Sequence, residues 1–236
     1  MQKPFQKYRK NKFFRLTRRL VGNVWPRNCH ICETALNDDE EILCLKCLAL
    51  ISTIRQDEQM PYIGAPGNIV KVRSWFVYSR EEPSSQLIHA IKYHDRRRLA
   101  RKLGREFAVH RLRDNLPVEM LLPIPLHWTK HFTRSYNQVR EISRGISDVT
   151  GIPVTRNLYA RRSHATQTRS NRQERMDNVA DVFAVRRPEE FDGRHIAIVD
   201  DVLTTGATLL SALKSIMAVA TPASVTFLTL GRTRNA

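Results

Sequence analysis

Two adjacent carboxylates followed by a hydroxyl-rich turn form the most chemically loaded stretch of the chain, His195-Ile-Ala-Ile-Val-Asp-Asp-Val-Leu-Thr-Thr-Gly-Ala-Thr208. Thr204, Thr205 and Thr208 offer hydroxyl donors, and Gly206 permits close backbone approach and a positive φ. A helix opening here would add unpaired N–H groups and a positive dipole end, which together suit a phosphate. Asp200 and Asp201 would repel that phosphate and so need another partner. Vicinal hydroxyls are the natural one, because hydroxyls donate strong hydrogen bonds to carboxylates, and a hydrated Mg²⁺ can be recruited beside them. Phosphate on the turn and hydroxyls on the acid pair together describe a 5-phosphoribose.

A second cluster is Cys29-His-Ile-Cys32, then eleven residues, then Cys44-Leu-Lys-Cys47, and it contains every cysteine of the chain. Two Cys-x-x-Cys knuckles at this separation bring four thiolates to one tetrahedral Zn²⁺. A closed shell of four sulfurs makes His30 a bystander and the metal structural. The competing reading, two disulfides, belongs to secreted proteins. Cations form further groups. Lys92-Tyr-His-Asp-Arg-Arg-Arg98 is either a solvated face or a neutralising patch for pyrophosphate or a nucleic-acid backbone. His127, Lys130, His131 and Arg134 crowd the opening of an expected helix, and Gln167 and Arg175 fall in a polar stretch, 161–187, with few apolar anchors. That stretch reads as a loop closing over a ligand or as a disordered insertion.

The elements that position these residues follow from hydropathy pattern. Ile196 to Val199 reads as a strand buried on both faces, and Ala207 to Val219 as the helix after it. Upstream, a strand is expected over 69–78, then helical spacing from Pro83 to Phe107 interrupted at His94-Asp95. A short strand at 120–126 leads into a helix over about 129–149, and strands follow at 152–158 and 182–185. Ser224 to Leu230 supplies the last strand. This order predicts an α/β fold with a mostly parallel, doubly wound sheet. Residues 1–27 form a basic segment, 28–55 the cysteine module, 56–67 a Pro/Gly-marked linker, and 68–236 the main domain.

With 42% hydrophobic residues the 236-residue chain can build a substantial core. Its net charge of +16 favours an anionic partner such as nucleic acid, a polyphosphate or an acidic lipid surface. Residues 1–27 carry nine Lys and Arg with no Asp or Glu, interleaved with Phe13, Phe14, Leu16, Leu20 and Val21. They read as a basic amphipathic helix for nucleic acid or a membrane surface, as a solvated tail, or as a transit-like peptide. No apolar run is long enough to span a bilayer and no secretory h-region follows the N-terminus, so a cytoplasmic protein is expected.

Ile198-Val-Asp-Asp-Val-Leu-Thr-Thr-Gly-Ala-Thr208 resembles the phosphoribosyl pyrophosphate (PRPP) signature of type I phosphoribosyltransferases. The pieces around it narrow the resemblance. The double-Cys module, Lys92-Tyr93, Pro123-Ile-Pro-Leu126, Arg134-Ser-Tyr-Asn-Gln138, Gln167 followed by Arg175 and Asn178, and Phe183 occur in the order of the ComF family, which includes the GntX-like proteins. Ser135, His164 and Ser170 depart from that family's usual Gly, Thr and Leu.

The resemblance implies a type I phosphoribosyltransferase-type sheet with a small N-terminal zinc module of four cysteines, Cys29, Cys32, Cys44 and Cys47. PRPP would lie on Asp200, Asp201, Val202, Leu203, Thr204, Thr205, Gly206, Ala207 and Thr208. Asp200, Asp201 and Lys92 would serve chemistry, and His127, Lys130, Arg134, Gln167 and Arg175 would meet pyrophosphate. It implies zinc and Mg²⁺ as metals. It also implies a role in natural transformation, with single-stranded DNA, PRPP and other DNA-uptake proteins as partners, on the cytoplasmic side of the inner membrane. Trp25, Tyr78, Tyr93 and Tyr136, each near cations, are candidate base-stacking aromatics. The alternative function is phosphoribosyl transfer to a small acceptor that no stretch of sequence identifies.

Overall fold

The computed structural model describes residues 27–55, 57–61, 69–93, 96–112, 116–126, 135–161 and 182–234. The central strand is β6, His195–Leu203. Its neighbours are β3, Met120–Pro123, on one side and β7, Ser224–Arg232, on the other, both parallel to it. β2, Ile69–Val77, joins β7 in parallel, and β1, Glu58–Pro61, adds an antiparallel edge. The sheet order is therefore β1-β2-β7-β6-β3, mostly parallel as expected.

Strand alternation divides the core into two layers. Ala197, Val199, Leu228 and Leu230 face α3, Arg97–Arg111, and α4, Gln138–Thr150; Ile196, Ile198 and Phe227 face α5, Ala207–Met217. Ile196 to Val199 are fully buried, which is why this run carries no polar residue. Covering both faces with helices is the doubly wound arrangement the sequence predicts. The helical stretch after Pro83 is divided into α2, Ser84–Tyr93, and α3, consistent with the interruption read at His94-Asp95.

Several elements differ from the expected reading: β1 lies within the stretch read as a linker, 56–67, and β3 ends at Pro123 rather than at 126. α4 starts at Gln138, nine residues beyond the expected Thr129, because Asn137 caps it: the Asn137 side chain accepts the Arg140 N–H at 3.1 Å. The strand expected over 152–158 is broken in two. Around Val154 the chain pairs with β3, with Leu121 donating to the Pro153 carbonyl and Thr155 to the Leu121 carbonyl. The Thr155 hydroxyl then accepts the Asn157 N–H at 3.2 Å, and the chain turns off into β4, Leu158–Ala160. The strand at 182–185 does not join the main sheet. It is β5, Phe183–Val185, antiparallel to β4 in a separate two-stranded ribbon.

The cysteine module holds α1, Leu45–Leu50, and packs directly on the main domain. Ile54 donates to the Trp75 carbonyl and Val77 to the Ser52 carbonyl, each at 2.8 Å, so residues 52–54 run along β2. Cys29, Ile42, Leu43, Cys47 and Ile51 belong to the same apolar cluster as Leu87, Ile91, Leu103 and Phe107. Among the described residues, no helix is long and apolar enough to cross a membrane.

Candidate functional site

The carboxyl end of β6 passes through Thr204 and Thr205 into Gly206, whose φ of 76° starts α5 in the left-handed region where a side chain would be strained. The Thr205 hydroxyl accepts the Ala207 N–H at 3.4 Å. Strand end and helix start together wall a cavity of about 450 Å³. Asp200, Asp201, Val202, Thr204, Ala207 and Thr208 border it. So does Lys92, the last cation of α2. Leu203 is buried in the apolar layer beneath, while Thr205 and Gly206 shape the turn.

Asp201 is only 6% exposed. Its Oδ2 lies 3.3 Å from Lys92 Nζ and accepts Gln138 Nε2 at 2.8 Å. A carboxylate so deep in the protein needs such partners, because its desolvation is otherwise uncompensated. The Asp200 carboxylate accepts the Asp201 backbone N–H at 2.8 Å. Tyr78, Ile124, Pro125, Leu126 and Phe183 add apolar surface to the lining.

Of the cations near Lys92, Arg96 and Arg97 are directed elsewhere. Arg96 Nη1 meets His30 Nδ1 at 3.0 Å, and Arg97 donates to the Ser135 carbonyl and lies over the Tyr136 ring. The Tyr136 hydroxyl donates to the Ile91 carbonyl at 2.7 Å. Tyr136 is therefore a packing residue, and Tyr93, 54% exposed, is the surface aromatic of the group. His127, Lys130, Arg134, Gln167, Arg175 and Trp25 lie outside the described residues. In sequence Gln138 is the last residue of the run Arg134-Ser-Tyr-Asn-Gln138, with no role of its own assigned. Nothing local directed it to a carboxylate 63 residues away.

The four cysteines are free and their sulfurs lie within 4.8 Å of one another, so together they could hold a metal ion. Cys32 Sγ and Cys44 Sγ are 3.6 Å apart, far beyond a disulfide bond and close to the ~3.8 Å edge of a tetrahedron built on 2.3 Å metal–sulfur bonds. Cys44 Sγ accepts the Cys47 N–H, capping α1. Hydrogen bonding with Thr34 holds the Cys32 thiol down to about 6, and burial pushes the Cys47 thiol up. His30 is not part of the sulfur group, and its Nδ1 meets Arg96. Since Arg only donates, Nδ1 accepts and the ring is neutral, in keeping with the lowering by burial and by Arg96 and Lys102.

The family described as phosphoribosyl transferase domain matches residues 133–235. Competence protein F of Haemophilus influenzae is 30% identical over an aligned length of 207, with 79% of this chain and 89% of that protein covered. The chain belongs to the ComF family. A further relative of this ComF protein is the DNA utilization protein YhgH of Escherichia coli K12, 31% identical over an aligned length of 141, with 54% of the chain and 58% of YhgH covered. Among solved structures, an allosteric regulatory enzyme of purine biosynthesis overlaps 59% of the chain and 29% of its own length at 16% identity and a TM-score of 0.43.

Proposed function

We propose that this ComF-family protein binds PRPP with Mg²⁺ in the cavity at the end of β6 and handles single-stranded DNA in DNA uptake. The observation that carries the first part is the convergence of both acids, Thr204, Ala207, Thr208 and Lys92 on one cavity of the volume usual for small-ligand sites. Thr204, Thr205, Thr208 and the α5 N-terminal N–H groups hold the 5′-phosphate. Asp200 and Asp201 receive ribose hydroxyls, and Lys92 offsets anionic charge beside the sugar. Mg²⁺, when bound, would neutralise pyrophosphate oxygens next to the acid pair.

A second reading, transfer of phosphoribose to a small acceptor with pyrophosphate leaving, is favoured by the apolar lining from Tyr78, Ile124, Pro125 and Phe183. A flat acceptor would pack there. DNA handling is supported by the names of the two relatives, by the +16 charge, and by Tyr93, which is exposed and lies close in sequence to Arg96, Arg97 and Arg98. The four-thiolate group is proposed to hold zinc, for which its sulfur spacing is suited.

The test is calorimetric titration of PRPP with Mg²⁺ into wild type and Asp200→Asn/Asp201→Asn, each with and without single-stranded DNA at low and high salt. PRPP heat in the wild type that the double variant lacks is expected. DNA affinity should fall steeply with salt as bound counterions are retained by the strand. A folded wild type that gives no PRPP heat sinks the PRPP reading; DNA binding that is absent at low salt removes nucleic acid from the account.

A further inference from the structure

The four sulfurs of the cysteine module are not equivalent. Cys29 is 1% and Cys47 3% exposed, and both are packed in the apolar cluster that also holds Leu87, Leu103 and Phe107. Cys44 is half-buried and Cys32 is exposed. The outer two are also a close pair, with Cys32 Sγ 3.6 Å from Cys44 Sγ. Oxidation of a cysteine follows its thiolate character and its access to solvent, and it becomes reversible where a second sulfur stands ready to resolve it. Cys32 and Cys44 meet these conditions, while the inner pair is shielded by the core.

We propose that Cys32 is a modification site for small hydroperoxides, with Cys44 as its resolving partner, and that this oxidation opens the shell and releases the metal. The proposal rests on the zinc reading of the four-thiolate group. Bound zinc would hold all four sulfurs as thiolates, the form that attacks an oxidant. Cys32 Sγ attacks one oxygen of hydrogen peroxide, the O–O bond breaks, hydroxide leaves, and the sulfur becomes a sulfenic acid. Cys44 Sγ then attacks the Cys32 sulfur, the S–OH bond breaks, and a second hydroxide leaves behind a Cys32–Cys44 disulfide. Two thiolates have together lost two electrons, the peroxide has gained them, and two protons from solvent turn both hydroxides into water. Closing 3.6 Å to the ~2.05 Å of an S–S bond displaces groups at the module's surface. The same movement by Cys29 or Cys47 would pull on the apolar cluster. After the step only Cys29 and Cys47 remain as ligands, half of the shell that a structural zinc site requires.

The test exposes the zinc-loaded full chain, freed of reductant, to a small molar excess of hydrogen peroxide. Zinc release is followed with a chromogenic chelator, and non-reducing peptide mass spectrometry assigns the oxidised residues. Loss of about one zinc per chain is expected in step with a Cys32–Cys44 disulfide, and dithiothreitol with added zinc should restore the loaded protein. In Cys32→His an imidazole replaces the outer sulfur in a Cys₃His shell, and zinc should stay bound under the same peroxide. Zinc retained by the wild type, a first disulfide that includes Cys29 or Cys47, or release from Cys32→His as fast as from the wild type each overturns the proposal and leaves the zinc reading standing. Should Cys32→His fail to load, the disulfide assignment in the wild type decides alone. A wild type that takes up no zinc overturns both.

Discussion

Asp148 is the residue through which α3 and α4 are joined electrostatically. Arg101 holds both of its oxygens, at 2.6 and 2.7 Å, and Arg105 adds a bond at 2.8 Å. The Arg101 hydrogen bonds, with those of Arg105, keep the Asp148 carboxyl below its ordinary value, and Arg101 is raised in return. A carboxyl depressed in the folded state stabilises fully above its unfolded value, and the contribution fades as pH falls through the folded one. Urea titrations should therefore find Asp148→Asn about 1 kcal/mol less stable than wild type at neutral pH, with the gap closing below about pH 4. A gap unchanged at pH 3 would show that the arginines contribute nothing through charge. At this scale the sequence is legible where chemistry is local. The run from Asp200 to Thr208 is read as one unit because its residues are consecutive, and six of them border the cavity. The pairing of Lys92 and Gln138 with Asp201 is not legible, because it depends on how α2 and α4 approach the end of β6.

Between elements, α3 and α4 touch backbone to backbone. A Cβ on Gly104 would overlap the Ile142 carbonyl, and one on Gly145 the Arg101 carbonyl, so each helix presents a glycine to the other's main chain. Elsewhere in a helix Gly→Ala would stabilise by about 1 kcal/mol. Here Gly145→Ala must push the helices apart and is expected to destabilise by about 2 kcal/mol, measured as a fall in the urea midpoint. Because α4 carries Gln138 to Asp201, the same substitution should weaken PRPP binding without touching the cavity. Retained stability with unaltered affinity would show that the helices have room to separate. The alternating strands and the amphipathic α4 were legible, since a period of 2 or 3.6 is written locally. The start of α4 and the departure of β4 were not. The first depends on one capping side chain, and the second on a turn at Thr155 and Asn157 that draws the chain to a partner strand some 25 residues later.

Across the whole molecule, the cysteine module and the parallel sheet share one apolar cluster, so metal and fold should be thermodynamically linked. Purified protein is expected to carry about one zinc per chain by metal analysis, and chelation should lower the melting temperature of the entire protein rather than release a separate low-temperature transition. Metal-free protein with an unchanged melting curve would refute the linkage. The module's existence was plain from four cysteines, but its attachment along β2 and through His30 to Arg96 was hidden, because contacts between modules leave no periodic trace. On the opposite side, the Asn157 side chain accepts the N–H groups of Arg186 and Arg187 and donates to the Arg187 carbonyl and to Glu190, while Arg161 donates to the Val182 carbonyl. These bonds clamp residues 161 and 182 side by side at the cavity rim, where Val182 and Phe183 sit. The clamp has a consequence for chain length. For a flexible loop between fixed ends, doubling the length costs only about 0.6 kcal/mol in closure entropy. Changes of length between positions 161 and 182 are therefore expected to leave the sheet standing, because its described hydrogen bonds end at the clamp.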